Sequence, residues 1–204
     1  MAKKGENTRQ RILDAAQGLI LEYGYAGVSV DQVINNVGLT KGAFFHHFKN
    51  KGELARTLIR RYSDDGVQLF EDNMARAKKL SDDPLQQFLI LIGLYEELFD
   101  DLIEPYPGCL LASYVYELQQ FDDDIKPIIN EEFLLSREEL TALIERIKEK
   151  YPPRQPVDPV ALADTFMSTF EGAFVLSKSL NEPKITAQQL RLYKTFIEVL
   201  FRPA

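Results

Sequence analysis

Residues Val28 to Leu54 read V-S-V-D-Q-V-I-N-N-V-G-L-T-K-G-A-F-F-H-H-F-K-N-K-G-E-L, and this stretch decides how the chain is read. Ser29 with Gln32 three residues on has the spacing of a capping box, so a helix is predicted to start there. Val30, Val33, Ile34 and Val37 recur at i, i+3, i+4 and i+7 and make one apolar face. Gly38 tolerates the left-handed backbone that ends a helix, and Leu39 is an apolar plug in the turn. Thr40 can cap a second helix, from Lys41 to His47 or Phe48, by accepting a bond from an unpaired backbone N–H. Phe44 and Phe48, four residues apart, face inward, while Lys41, Phe45 and His46 face out. Two short helices joined by a glycine turn make a helix-turn-helix, whose second helix can lie in the major groove of DNA. The same pattern also fits a helical hairpin in an ordinary bundle. Lys41 stands at the helix N-terminus, where unpaired N–H groups and the dipole favour phosphate.

T-K-G-A-F-F-H-H-F-K-N-K-G-E-L, with T-R-Q-R-I-L-D-A-A and G-Y-A-G-V-S-V before it, closely resembles the tetracycline-repressor (TetR) family of bacterial transcription regulators. The resemblance covers about the first 60 residues. Phe45 stands where the family usually has a tyrosine whose phenol bonds a phosphate, Ile34 and Val37 replace the usual alanines, and Gly52 replaces a common glutamate. The resemblance implies a DNA-binding regulator, most simply a repressor, that forms a homodimer through a four-helix bundle. Thr40, Lys41 and Gly42 would meet DNA at the start of the recognition helix. Phe44, Phe45 and His46 would lie against the backbone or a thymine methyl, and Ser29 and Lys51 would hold flanking phosphates.

Charge agrees with that division. The net charge of −7 looks wrong for a DNA binder, but residues 1–61 hold ten basic and five acidic side chains, +5, and the remainder carries −12. A basic head on an acidic body suits a DNA-binding domain joined to a regulatory one. We therefore expect a helix-turn-helix domain over residues 6–66 and a ligand-binding and dimerisation domain over residues 67–204. A single cysteine excludes an internal disulfide and fits a reducing compartment. No run of about 18 apolar residues marks a membrane span, and no apolar segment follows the N-terminus to form a secretory signal. A cytoplasmic protein is expected.

Helical periodicity continues along the chain. Asn7, with Gln10 three residues on, reads as the cap of a helix ending at Gly24, and Lys3 and Lys4 as a basic arm before it. Asn50 with Glu53 opens a helix reaching about Leu80, with Gly66 as the place where it could bend. Asp83-Pro84, Cys109 and Asp158-Pro159 start three more, the Cys109 helix running to Phe121; Pro127 precedes a helix ending near Lys150, and Thr186 starts the last. No segment alternates with period two. The expected fold is all-α, about nine helices, with a three-helix head and a larger helical body. The last helix is apolar on two faces. Leu192, Phe196 and Val199, with Gly172 and Ala173 on the helix before, are read as a dimer interface. A helical hairpin buried within one subunit is the other reading.

Nothing here supports catalysis. His46 and His47 are adjacent and point about 100° apart on a helix, so they cannot share a metal as an i, i+4 pair can. No nucleophile elbow, Walker loop or dinucleotide fingerprint is present, and no cofactor is expected. The Asp122-Asp123-Asp124 run reads as solvated surface. Tyr95, Tyr114, Tyr116, Phe166 and Phe170 could line an apolar pocket for a small-molecule inducer. Cys109, in P-G-C-L-L, resembles a sub-group of the same family and sits where a helix N-terminus lowers a thiol pKa, which allows an oxidant or electrophile sensor. Two alternatives to inducer-released repression therefore stand: redox control through Cys109, and a helical small-molecule carrier that does not touch DNA.

Overall fold

The computed structural model describes residues 2–121 and 125–202, with the backbone alone for residues 2–5. Among the described residues there are nine α-helices and no strand. They are α1 (Ala2–Gly27), α2 (Val30–Val37), α3 (Lys41–His47), α4 (Lys51–Leu80), α5 (Pro84–Asp100), α6 (Leu110–Val115), α7 (Ile125–Lys150), α8 (Pro159–Leu180) and α9 (Ile185–Phe201), with a short 3-10 turn at Leu118–Gln120. The all-α expectation stands. The side chains of Lys3 and Lys4 and the whole of Asp122-Asp123-Asp124 lie outside the described residues.

α7 and α9 begin at Ile125 and Ile185, slightly before the expected Pro127 and Thr186, and three other boundaries differ for a physical reason. α1 begins before Asn7, so that residue lies inside the helix and caps nothing. Gly24 breaks the helical ladder with φ 76° and ψ 163°, yet the chain turns helical again as far as Gly27. Glycine adopts this conformation at no steric cost, so it kinks the helix without ending it. α6 stops at Val115, and the chain leaves helical geometry at Glu117 (φ −120°, ψ 24°), whose side chain is committed elsewhere.

The chain divides into two compact units, one of Met1–Asp65 with Pro107–Glu131 and the other of Gly66–Tyr106 with Glu132–Ala204. α4 passes from one to the other at Asp65-Gly66 and stays helical through the glycine. The core of the first unit includes Ile12 and Ile20 of α1, Phe44 of α3, Leu58 and Ile59 of α4 and Tyr114 of α6, all fully buried. In the second unit α9 packs between α5 and α8. Phe88, Ile92, Ile144, Leu190 and Ile197 are buried there, and each such side chain contributes roughly 1.5–3 kcal/mol.

α5 starts as its sequence predicts. Asp83 accepts the N–H of Gln86 at 2.9 Å, and Pro84 occupies the first turn. Its other carboxylate oxygen takes the Lys150 ammonium at 2.8 Å and the Tyr151 hydroxyl. Burial alone would push the Asp83 carboxyl up, but the bonds from Lys150, Tyr151 and the Gln86 N–H outweigh it and hold it at about 2, against an ordinary 3.8.

Candidate nucleic-acid interface

The helix-turn-helix is built from caps. Ser29 Oγ accepts the Gln32 N–H at 3.2 Å and Gln32 Oε1 accepts the Ser29 N–H at 2.7 Å, a complete capping box. Gly38, at φ 71° and ψ 40°, closes α2, and the Leu39 N–H returns to the Ile34 carbonyl at 3.0 Å. Arg11 of α1 also reaches α2, its Nη2 donating to the Val37 carbonyl at 2.8 Å. A cation there meets the negative end of the α2 dipole. Thr40 Oγ1 accepts the Ala43 N–H at 3.2 Å and starts α3.

α3 is seven residues long and is held from beneath. Phe44 and Phe48 are fully buried with ring centroids 5.8 Å apart, and the Arg9 guanidinium lies 5.2 Å over the Phe48 ring. The outer face carries Lys41, Gly42, Phe45 and His46, all exposed. Phe45 is 50% exposed and stands edge-on to Phe44 at 5.3 Å. A ring left half in water on a helix of this length is available for an apolar contact such as a thymine methyl. The Lys41 ammonium is paired with Asp31 at 2.9 Å, both side chains largely exposed, so the pair is weak and can open to phosphate. His47 is half-buried; burial first, then His46 and Arg9, lower its pKa, so it stays neutral near pH 7.

A model of the bacterial regulatory proteins of the tetR family matches residues 12–58, the interval that holds these caps and α3. Over residues 12–58 the chain carries the tetR-family regulatory domain.

A curated relative along the length of the chain is an uncharacterized HTH-type transcriptional regulator from the lacX 3′ region of Lactococcus lactis, 24% identical over 198 residues and covering 94% of each chain. The HTH-type transcriptional regulator TtgR of Pseudomonas putida is 25% identical over 123 residues, 60% of this chain and 56% of that one, so the similarity spans about half of that relative. A TetR transcriptional regulator from Chloroflexus aurantiacus has the same fold, with a TM-score of 0.80 at 22% identity over 99% of this chain and 100% of that one. Residues 12–58 read as the DNA-binding domain of a transcription regulator. The carrier that does not touch DNA is thereby set aside.

Two of the expected DNA contacts are corrected by the structure. Phe44 cannot reach a duplex, because it is wholly buried and its ring supports α3 from inside. Lys51 does not point to a phosphate: its ammonium donates to the Tyr25 carbonyl and lies 3.9 Å over the Tyr25 ring. Burial lowers the Lys51 pKa, and the nearby Glu117 carboxylate partly opposes that. Ser29, Thr40, Lys41, Gly42, Phe45 and His46 are exposed on the α2–α3 hairpin, though the Ser29 and Thr40 hydroxyls already serve as caps.

The residues expected to line one inducer pocket fall in two units. Tyr95, Phe166 and Phe170 are together in the second, Tyr95 and Phe170 edge-on at 5.3 Å and Phe166 and Phe170 at 5.0 Å. Burial and, less strongly, the Glu139 carboxylate push the Tyr95 phenol up to about 12 against the hydrogen bond with Asn73, so it remains a neutral donor. Tyr114 and Tyr116 are in the first unit, as is Cys109, and Tyr116 is 77% exposed, so it lines no pocket within the subunit. Cys109 caps α6, its Sγ accepting the Ala112 N–H at 3.4 Å. Tyr114 is fully buried between Tyr25 and Phe121, and its hydroxyl has no partner among the described residues.

Of the residues read as a dimer interface, Gly172 of α8 and Leu192, Phe196 and Val199 of α9 are exposed, but Ala173 is buried inside the subunit and is removed from that list. One residue of helical turn separates the outward Gly172 from the inward Ala173, since neighbours on a helix point about 100° apart. Periodicity also missed Val175 (60% exposed) and Leu176 (48% exposed), which extend the strip on α8. Among the described residues no helix is long and apolar enough to cross a membrane.

Proposed function

We propose that this TetR-family protein is a homodimeric repressor, released from a palindromic operator by a small-molecule inducer. Residues 6–66 bind DNA; residues 67–204 bind the inducer and form the dimer. The observation that carries the reading is the outward apolar strip of Val175, Leu176, Leu192, Phe196 and Val199 on α8 and α9. Large apolar side chains left exposed on two helices that pack together mark an interaction surface. A second copy related by a two-fold axis would cover it with the same strip, closing a four-helix bundle. The axis would set the two α3 helices one DNA turn apart, about 34–36 Å.

Thr40, Lys41 and Gly42 meet DNA at the α3 N-terminus, Phe45 and His46 lie against the groove, and Ser29 faces a flanking phosphate. The inducer is an apolar or aromatic compound that meets Tyr95, Phe166 and Phe170. It acts on the heads through α4, which is continuous from Lys51 to Leu80. DNA and inducer then oppose each other by linkage. The protein works in the cytoplasm, where its operator is.

The test is a titration against duplexes selected from a random pool, at several salt concentrations. Lysine–phosphate contacts release counterions, so wild-type affinity should fall steeply with salt, and Lys41→Ala should reduce the slope by about 1 for each protomer. Phe196→Asp should give a single-chain mass in solution and lose binding to the selected palindrome. A Phe196→Asp protein that stays dimeric, or an affinity indifferent to salt, would refute the reading.

A further inference from the structure

The carboxylate of Glu117 grips the end of α1. Its Oε1 accepts the Tyr25 N–H at 2.8 Å and its Oε2 accepts the Ala26 N–H at 2.7 Å, across 92 and 91 residues of chain. Those two N–H groups follow the kink at Gly24. The carboxylate gives them charge-assisted bonds, which are stronger than neutral ones. A Cβ at position 24 would stand 2.5 Å from Glu117 Oε1. The glycine thus makes the kink and also leaves room for the carboxylate to reach it.

Tyr25 is held on its other sides as well. Lys51, in the first turn of α4, donates to its carbonyl and covers its ring. Its ring packs on Phe121 at 4.3 Å and edge-on against Tyr114 at 5.6 Å. Backbone donor, backbone acceptor and ring are therefore all engaged, by α4 and by the segment around α6. The chain then runs directly into α2: the Val28 N–H donates to the Tyr25 carbonyl at 3.3 Å, and Ser29 is the α2 cap. With α2 tied to α3 by a closed glycine turn, the direction of α3 follows from how Tyr25 and Ala26 are held.

We propose that Glu117 is a positioning residue for DNA recognition: it fixes the α1–α2 junction and so the orientation in which α3 is offered to the groove. It lies outside residues 12–58, where the family model matches, and in the segment Pro107–Glu131, which belongs to the same compact unit as the helix-turn-helix. Glutamine at 117 is nearly isosteric but has one acceptor oxygen, and its amide N–H₂ would oppose the second backbone donor.

The experiment compares full-length wild type with Glu117→Gln on two duplexes of equal length, one selected by the wild type from a random pool and one a scramble of it. Phosphate contacts hold either duplex, whereas base contacts need α3 in register. Affinity for the selected duplex should fall about tenfold while affinity for the scramble stays within about twofold, since one lost register contact costs on that order. Amide exchange at Tyr25 and Ala26 should speed up in the same variant. An equal loss on both duplexes is a structural role only and overturns the proposal, as does an unchanged or raised affinity for the selected duplex. If Glu117→Gln does not fold, Glu117→Asp keeps the charge but is one methylene short, and the same outcomes on the two duplexes decide.

Discussion

The α2–α3 hairpin and the segment from Cys109 to Phe121 lie in the same compact unit, yet they are held in opposite ways. The hairpin holds itself: Ser29 with Gln32, Gly38, and Thr40 with Ala43 close their bonds within three residues or a single turn. The Cys109–Phe121 segment has only six residues of α-helix and is fixed by what it touches far away, with Glu117 on the α1 backbone and Tyr114 and Phe121 against Tyr25. A recognition surface gains from the first kind of construction, because its shape then depends little on the rest of the chain. The second kind ties a distant part of the chain to that surface.

Four measurements can break or sharpen this contrast. The largest effect is expected from Phe44→Ala, since its fully buried ring supports α3 from beneath. Truncating it should cost roughly 3–5 kcal/mol in chemical unfolding and abolish DNA binding, and a loss under about 1 kcal/mol would show that α3 is not supported from beneath. Tyr114→Phe should go the other way. A buried hydroxyl with no partner among the described residues bears an uncompensated desolvation cost, so removing it should stabilise the protein by about 1 kcal/mol in the same assay, and a clear destabilisation would mean the hydroxyl is bonded.

Thr40→Ala tests the local cap and should cost about 1 kcal/mol, with DNA affinity falling further than stability because the start of α3 frays. The smallest effect is expected from Asp83→Asn, where one side chain combines both kinds of contact: a local cap on Gln86 and distant bonds from Lys150 and Tyr151. Asn keeps the cap and loses the charge. The folded Asp83 carboxyl is depressed to about 2 from 3.8, so its contribution is full above the unfolded value and is lost as pH falls through the folded one. Between about pH 5 and pH 2 the wild type should lose its advantage over Asp83→Asn in thermal midpoint. Parallel pH profiles would remove the ion pair from the account.

Much of the interface was legible because its determinants are short-range. Helix periodicity, the Ser29–Gln32 spacing, the closing Gly38 and the Asp83-Pro84 and Asp158-Pro159 starts all act over a few residues, and the structure shows each helix beginning or ending there. The errors have one source. Phe44 and Lys51 are DNA contacts only by the resemblance: burial makes the first a support, as its inward spacing already indicates, and Tyr25 draws the second inward. Ala173 was placed by its size, and one residue of helical rotation puts it inside. Tyr114 was grouped with Tyr95 by chemistry, while packing puts the two in different units.

Sequence by itself determined the helical class, the two-helix reading head with its caps, the charge division between N-terminal head and the rest, and through them the kind of regulator this is. Those features follow from backbone hydrogen bonding and from apolar residues repeating at helical spacing, which are properties of neighbours along the chain. Only the tertiary structure decided which face of α8 and α9 is left uncovered, where Lys51 spends its charge, and that Glu117 closes on Tyr25 and Ala26. These depend on which surfaces meet once the chain has collapsed, and no residue carries a mark of a partner ninety positions away.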